Sequence, residues 1–355
     1  MIRNLTITQL VENVASAPGL LGEHGAAFFI EADGHCLLLD TGQGLTLLQN
    51  AERLGLALER LEVIALSHGH YDHTGGLAAV LERTGGAVDL YLHPEALAPK
   101  FNRDGRSIGS PITDLEVLRP RVRRLVASAE PVEIRPGIRL TGEISRRHAI
   151  EDTGGPFYRD AECTEIDTLP DDQALIIDTP PGLVVVLGCG HSGLINTLDQ
   201  AQMLAPGRPI HAVLGGTHLL RASAERLDFT VRALEGFGID YLAPNHCTGL
   251  AATCQLCQQF PRQFRASPVG AKHKIGYSTC SNRYVAELVM YSQLSWRAPC
   301  SLHSPTSRPP TPSPPRVLTA RAPIRRSQRR RWSIKPRIRP AFRRSLAKPP
   351  CSVPR

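Results

Sequence analysis

An α/β fold is predicted for this chain by three observations: an apolar strand that runs straight into a cluster of histidines, three later strands that also end in histidine-bearing loops, and helical patterning between them. The cluster is Ser67-His68-Gly69-His70-Tyr71-Asp72-His73-Thr74-Gly75-Gly76, directly after Leu61-Glu62-Val63-Ile64-Ala65-Leu66. Alternation along an extended strand end directs His68 and His70 to one side, and imidazole with carboxylate suits zinc and neighbouring first-row metals. A purely structural role would crowd three partly charged imidazoles together, each needing its own hydrogen-bond partner.

Taken in order, residues 26–40 read as a hairpin, AAFFIEA and HCLLLD about an Asp33-Gly34 turn. Thr41-Gly42 opens a loop that enters a helix within LTLLQNAERLGL. After strand 61–66 and the histidine loop, Gly75 and Gly76 let the backbone turn closely into a helix over about residues 76–84. VDLYLHP (88–94) is a further strand, and residues 95–137 read as loop-rich, with the basic run Arg119–Arg124 as a solvated face. LVVVLGC (183–189) is a continuous apolar strand that delivers Gly190-His191-Ser192-Gly193 into a helix from Leu194. IHAVLGG (210–216) leads to Thr217-His218, a helix covers 223–237, and IDYLAP (239–244) leads to Asn245-His246-Cys247-Thr248-Gly249. Such strands gather chemistry at one edge of packed sheets, where open α/β folds keep their sites.

The chain has 355 residues, and 42% hydrophobic content is enough for a real core. Its formal charge of +8 is the sum of two unlike pieces. Residues 1–272 carry 23 Lys and Arg against 32 Asp and Glu, net −9, whereas residues 273–355 carry 18 against the single Glu287, net +17. The sequence therefore divides into a folded catalytic domain, 1–272, and a tail, 273–355, dense in Pro, Ser and Arg. Such a tail cannot bury enough surface to offset its ordering entropy and is expected to be disordered. The abrupt change near Lys272–Cys280 is also what a shifted reading frame or a fusion produces. Non-specific nucleic-acid binding is expected of the tail but not of the acidic body, since no reader module or aromatic interleaving accompanies the charge.

The nine cysteines are scattered and odd in number, and the N-terminus lacks a charged-then-apolar signal segment, so a reducing cytosol is the expected location. No apolar run reaches the length of a membrane span. The single CxxC, Cys254 and Cys257, lies in a helical stretch where core packing accounts for it.

These residues resemble the metallo-β-lactamase superfamily, whose mark is an HxHxDH loop after a strand, with an aspartate-bearing strand before it and single-ligand motifs after it. Here those are Asp40 in LLLDTG, His68/His70/Asp72/His73, His191 in GCGHSG and His246 in NHCTG, over about residues 4–272. The wording SHGHYDHTGGL, TGEISR, DDQAL, GCGHSGLINT, GGTHL and HCTGL resembles the subgroup named for 7,8-dihydropterin-6-methyl-4-(β-ribofuranosyl)aminobenzene 5′-phosphate synthase. The resemblance implies a four-layer αβ/βα sandwich with a binuclear site at one sheet edge. It implies that His68, His70 and His191 hold one divalent ion and Asp72, His73 and His246 the other, zinc being expected and iron or manganese the alternatives. Asp40 would stand behind them, accepting hydrogen bonds that orient the loop. Many two-metal members place a bridging aspartate on the strand between the last two histidine motifs, but here that strand ends Gly215-Gly216-Thr217-His218. Either His218 faces the metal or the substrate, or the second metal position is weaker and only partly filled.

The implied chemistry is hydrolysis of a small anionic substrate, a phosphoester or cyclic ester, by water acidified between two cations about 3.5–4 Å apart. With one position filled, Asp72 would act as general base. Arg146 in TGEISRR is the candidate anion clamp, with Arg147 beside it, and His24 and His93 are candidate pocket residues. The alternatives are pterin-linked synthase or transferase chemistry, a mononuclear-iron oxygenase, a nuclease or nucleic-acid-binding protein recruited through the tail, and a metal-binding regulator without turnover.

Overall fold

The hairpin and apolar strands fold into two sheets whose facing surfaces form a common core. The structure is a computed structural model, and it describes residues 1–276. The first part of the chain supplies β1 (Asn4–Val11), β2 (Ala27–Ala32), β3 (His35–Leu39), α1 (Leu47–Leu54), β4 (Leu61–Ala65), α2 (Tyr71–Thr74), α3 (Leu77–Arg83), β5 (Asp89–Leu92), β6 (Phe101–Asn102), α4 (Leu115–Leu118) and β7 (Arg124–Ala127). The second supplies β8 (Val132–Arg135), β9 (Ile138–Leu140), β10 (Phe157–Tyr158), β11 (Ala174–Thr179), β12 (Gly182–Leu187), α5 (Leu194–Leu204), β13 (Ile210–Gly216), α6 (Ala224–Phe237), β14 (Tyr241–Asn245), α7 (Leu250–Gln259) and β15 (Lys272–Gly276). One sheet has the order β15-β1-β2-β3-β4-β5-β7 and the other β14-β13-β12-β11-β9-β8, while β6 and β10 pair as a separate ribbon.

Strand alternation explains the layers. Leu37 and Leu39 of β3 join Phe28, Ile30, Val184, Val186 and Leu214 in the core between the sheets. Leu38, between them in sequence, faces the other way and packs with Leu47 of α1 and Leu77 and Val80 of α3. The second sheet repeats this: Val185 turns outward onto Leu194 and Leu198 of α5 and Leu234 of α6. Both faces of β12 are therefore buried, which is why it reads as an unbroken apolar run. The result is the helix–sheet–sheet–helix sandwich that the sequence implied.

Two expectations are corrected, the boundary of the folded body and the place of the CxxC cysteines. The boundary at 272/273 falls inside β15, an edge strand in which buried His273 stands opposite Ile7 of β1, so the folded body extends through Gly276. From residue 277 onward the expected tail lies outside the described residues. Residues 95–137 are loop-rich as expected, with the short β6, α4, β7 and β8, and the basic run is a largely solvated face in which Arg123 pairs with Asp89 at 2.7 Å. Cys254 and Cys257 are exposed on α7, not packed in the core. Among the described residues no helix is long and apolar enough to cross a membrane.

Candidate metal centre

Six strands deliver side chains to one edge of the sandwich. β1 runs into Glu12 and Asn13, β3 into Asp40, β4 into residues 67–73, β12 into Cys189–His191, β13 into His218, and β14 into His246 and Cys247. Asp40, His218 and His246 have φ of 61°, 46° and 49°, a left-handed conformation that costs a non-glycine residue about 1–3 kcal/mol and persists where the surroundings enforce it.

The hydrogen bonds around the imidazoles fix their tautomers. Asp40 accepts from Ser67 N and Ser67 Oγ, both at 2.7 Å, and from His73 Nδ1 at 2.7 Å. Because Ser67 Oγ donates to Asp40, it accepts from His68 Nδ1 at 2.9 Å. His191 Nδ1 donates to the Thr153 carbonyl and His246 Nδ1 to Asn13 Oδ1, each at 2.9 Å. Four rings thus turn Nδ1–H outward and Nε2 inward, the arrangement that outer hydrogen bonds impose on metal-binding histidines. Inside, His68 Nε2 is 3.0 Å from His70 Nδ1, and His73 Nε2 is 3.3 Å from His246 Nε2. The Nε2 atoms of His70 and His191 are buried without any partner. Lone pairs converging in a dry site repel unless a cation stands among them, so these residues fit a bound metal.

Four groupings bring their donor atoms within 4.8 Å of one another: His68/His70/His191, His24/Asp72/His246, His68/His73/Cys189 and Cys189/His218/Cys247. Asp72 Oδ2 also lies 3.9 Å from His73 Nε2 and 3.5 Å from His246 Nε2, which joins the second and third groupings. Burial and neighbouring imidazoles push His68 and His191 well below the usual histidine range, and burial takes His70 to about 3. His73 goes the other way: burial opposes protonation, but Asp40 and Asp72 outweigh it and raise the ring to about 9. Burial works against ionised Asp72, yet His73 and His246 hold it below the carboxylate range. Loading a cation here therefore displaces a proton from His73.

The other expected residues divide. His24 is exposed but reaches Asp72 Oδ2 at 3.2 Å and lies over His246 with ring centroids 5.1 Å apart. His218 packs its ring 4.2 Å from that of His191 and belongs with the two thiols. Arg146, expected as an anion clamp, does not line the cleft; its guanidinium donates to the carbonyls of His191, Thr168 and Leu169 and braces the His191 loop. Arg147 turns toward Met203. His93 does not line the cleft either, since it caps the turn at Pro94 by accepting from Glu95 N. Sequence reasoning missed Glu12, Asn13, Cys189, Cys247 and Thr153. The cysteines stood inside GCGH and NHC and were legible there, whereas Asn13 meets His246 across 233 positions and left no local signal.

These groups open into a cleft of about 1010 Å³. Phe157 of the β6/β10 ribbon stands over it, its ring 5.2 Å from His70 and 5.3 Å from His191. Leu220, Leu250 and Phe264 add apolar wall, and Arg103 and Arg221 are exposed cationic side chains along the lining.

The model of the metallo-beta-lactamase superfamily matches residues 21–204. The chain belongs to the metallo-β-lactamase superfamily. Within it, the chain is 29% identical to 7,8-dihydropterin-6-methyl-4-(β-D-ribofuranosyl)-aminobenzene-5′-phosphate synthase of Methanocaldococcus jannaschii, over 76% of this chain and 96% of that protein. It is 31% identical to an uncharacterised protein of the same organism, over 70% of this chain and 93% of the relative. Among solved structures, a metal-dependent hydrolase of the β-lactamase superfamily superposes with a TM-score of 0.66 at 29% identity, covering 77% of this chain and all of the other. The superfamily fold and the described strand-edge cluster thus coincide in this member.

Proposed function

We propose that this chain is a metal-dependent hydrolase of a small anionic substrate, a phosphoester or a cyclic ester. The observation that carries the reading is the inward convergence of Nε2 atoms from His68, His73, His191 and His246, each with its Nδ1–H anchored behind it. His68, His70 and His191 would hold one divalent cation and Asp72, His73 and His246 a second, zinc being the expected metal. Cations held there supply Lewis acidity, bringing a water's pKa toward neutrality and polarising a substrate oxygen.

The protein's own groups would do the rest. With only the first position filled, Asp72, ionised and lining the cleft, would accept the proton of the attacking water at a carboxylate oxygen, and His24, 3.2 Å away, would pass it to solvent. Phe157 and the apolar wall would exclude bulk water and seat the uncharged part of the substrate. Arg103 and Arg221, replacing Arg146 in this role, would attract the anionic end.

A second reading, synthase chemistry on a pterin-bearing phosphate, is favoured by the named methanogen relative, which the chain matches over 96% of that protein's length. The two are separated by assay of metal-loaded protein with phosphoester, lactone and thioester panels and with a pterin substrate. Elemental analysis tests what they share: two ions per chain are expected, falling to one or none in His68→Ala and His246→Ala. One ion unaffected by the His246 change would defeat the binuclear reading.

A further inference from the structure

Charge poses a problem for the proposed centre. Asp72 is the one carboxylate in the four donor groupings, so two divalent cations on those groups would leave a large uncompensated positive charge in a buried site. Asp40 is adjacent, but its oxygens already accept from Ser67 and His73. Glu12 is equally engaged, with Oε1 accepting from His246 N and Oε2 from Val14 N. Both carboxylates therefore offset charge from behind without turning a free oxygen to the imidazoles, and the further donor atom grouped with those rings is sulfur. Cys189 Sγ is 3.1 Å from His73 Nε2 and within 4.8 Å of the ligand atom of His68, and the residue is 3% exposed. It therefore lies between the ring that leads the first histidine triad and a ring grouped with Asp72. Cys247 stands behind it, donating toward the Cys189 carbonyl at 3.3 Å.

Close packing at the end of β13 also leaves no room for a carboxylate at Gly216: a side chain there would run into the Gly188 carbonyl oxygen and start 2.6 Å from Cys247 Sγ and 3.1 Å from Cys189 Cα.

We propose that Cys189 is a thiolate ligand of the metal centre, shared between the two cation positions and taking the role of the absent bridging carboxylate; this rests on the metal-centre reading above. The thiol deprotonates on binding, its proton going to solvent, and the metal–sulfur bond forms without any redox change. A thiolate donor favours zinc or ferrous iron and disfavours magnesium and manganese.

The test uses the full chain, loaded with Co²⁺ after metal removal, with cobalt content measured alongside the absorption spectrum. A near-ultraviolet thiolate-to-cobalt charge-transfer band is expected in the wild type, lost in Cys189→Ser while cobalt is still bound, and retained in Cys247→Ser. The wild-type minus Cys189→Ser difference isolates this sulfur from the remaining cysteines. Bound cobalt without the band, or a band that survives Cys189→Ser and disappears in Cys247→Ser, overturns the assignment and leaves the metal centre standing. Failure of the wild type to retain any cobalt removes the metal reading itself, and the ligand assignment with it. Should Cys189→Ser fold poorly, X-ray absorption on zinc-loaded Cys247→Ser, freed of excess metal, decides in its place. Sulfur at about 2.3 Å supports the assignment, and only nitrogen and oxygen at about 2.0–2.2 Å defeats it.

Discussion

At the scale of single residues, Asp40 shows how much of this centre depends on groups that never reach the cleft. One carboxylate sets the His73 tautomer directly and the His68 tautomer through Ser67. In Asp40→Asn the amide NH2 must face either the Ser67 N–H or the Ser67 Oγ and His73 Nδ1 donors, so a donor meets a donor in either orientation and the loop that carries the rings is displaced. Metal affinity should fall about 10–100-fold, read by competition with a chromophoric chelator, while the fold persists. Unchanged affinity would mean that Asp40 only packs. Arg146 makes the complementary point. Its residue type suited an anion, but what a side chain does is decided by what faces it, here three carbonyls. Arg146→Ala should therefore lower unfolding stability by roughly 0.5–1.5 kcal/mol in a urea titration, because the bonds lost are exposed or half-buried. Weakened inhibition by inorganic phosphate with unaltered stability would return Arg146 to the role of clamp. The histidines and Asp72 were legible because chemistry-bearing residues crowd one short loop. Asn13, Glu12 and Thr153 were not, because ordinary polar residues become partners only after distant strand ends meet.

Among elements, β15 was the one assigned to the wrong side of a boundary, and the reason is physical. Lys272, His273 and Lys274 look like the start of a basic tail, yet the strand alternates exposed and buried positions, with His273 and Ile275 inward and the lysines guarding a sheet edge. Five residues are too few for that period to outweigh composition. Buried His273 hydrogen-bonds through both nitrogens, to Tyr241 Oη at 2.7 Å and Ser267 Oγ at 2.9 Å, and burial lowers its pKa to about 4. Above the ordinary value near 6.5 the ring is neutral in both folded and unfolded chains and contributes no pH dependence. Between there and about 4 the unfolded chain takes up a proton that the folded chain refuses. Stability should fall across that window by about 3 kcal/mol and level off below it for this group. Urea unfolding at neutral and acid pH measures the slope, and His273→Gln should flatten it; an equal slope in both proteins would place the titrating group elsewhere.

For the whole molecule, the layers were readable from apolar period and length, whereas the strand order was not. β15 pairs with β1, closing the described chain on itself, and no local pattern announces a pairing between residues so far apart in sequence. The charge asymmetry also belongs to this scale. A chain cut after Gly276 keeps every described strand and should keep its metal content, while losing polyanion binding measured at low salt; binding that survives the cut would assign a nucleic-acid surface to the acidic body. Metal binding itself should couple the two sheets. His68, His70, Asp72 and His73 follow the first sheet, and His191 and His246 follow the second, so the complete donor set exists only once the sheets have packed. An ion that binds the folded chain alone, at a free concentration about a thousand times its Kd, adds about 4 kcal/mol, or about 10 °C in Tm for a domain of this size. The HxHxDH loop by itself can retain an ion in the unfolded chain, and that would shrink the shift. Thermal unfolding of loaded and chelated protein therefore measures how much of the site is long-range. A large shift in the wild type that collapses in His191→Ala and His246→Ala is expected, because those rings, together with Cys189, bring the second sheet into the site. A shift that survives both substitutions would mean that the first-sheet loop holds the ion without its partner sheet.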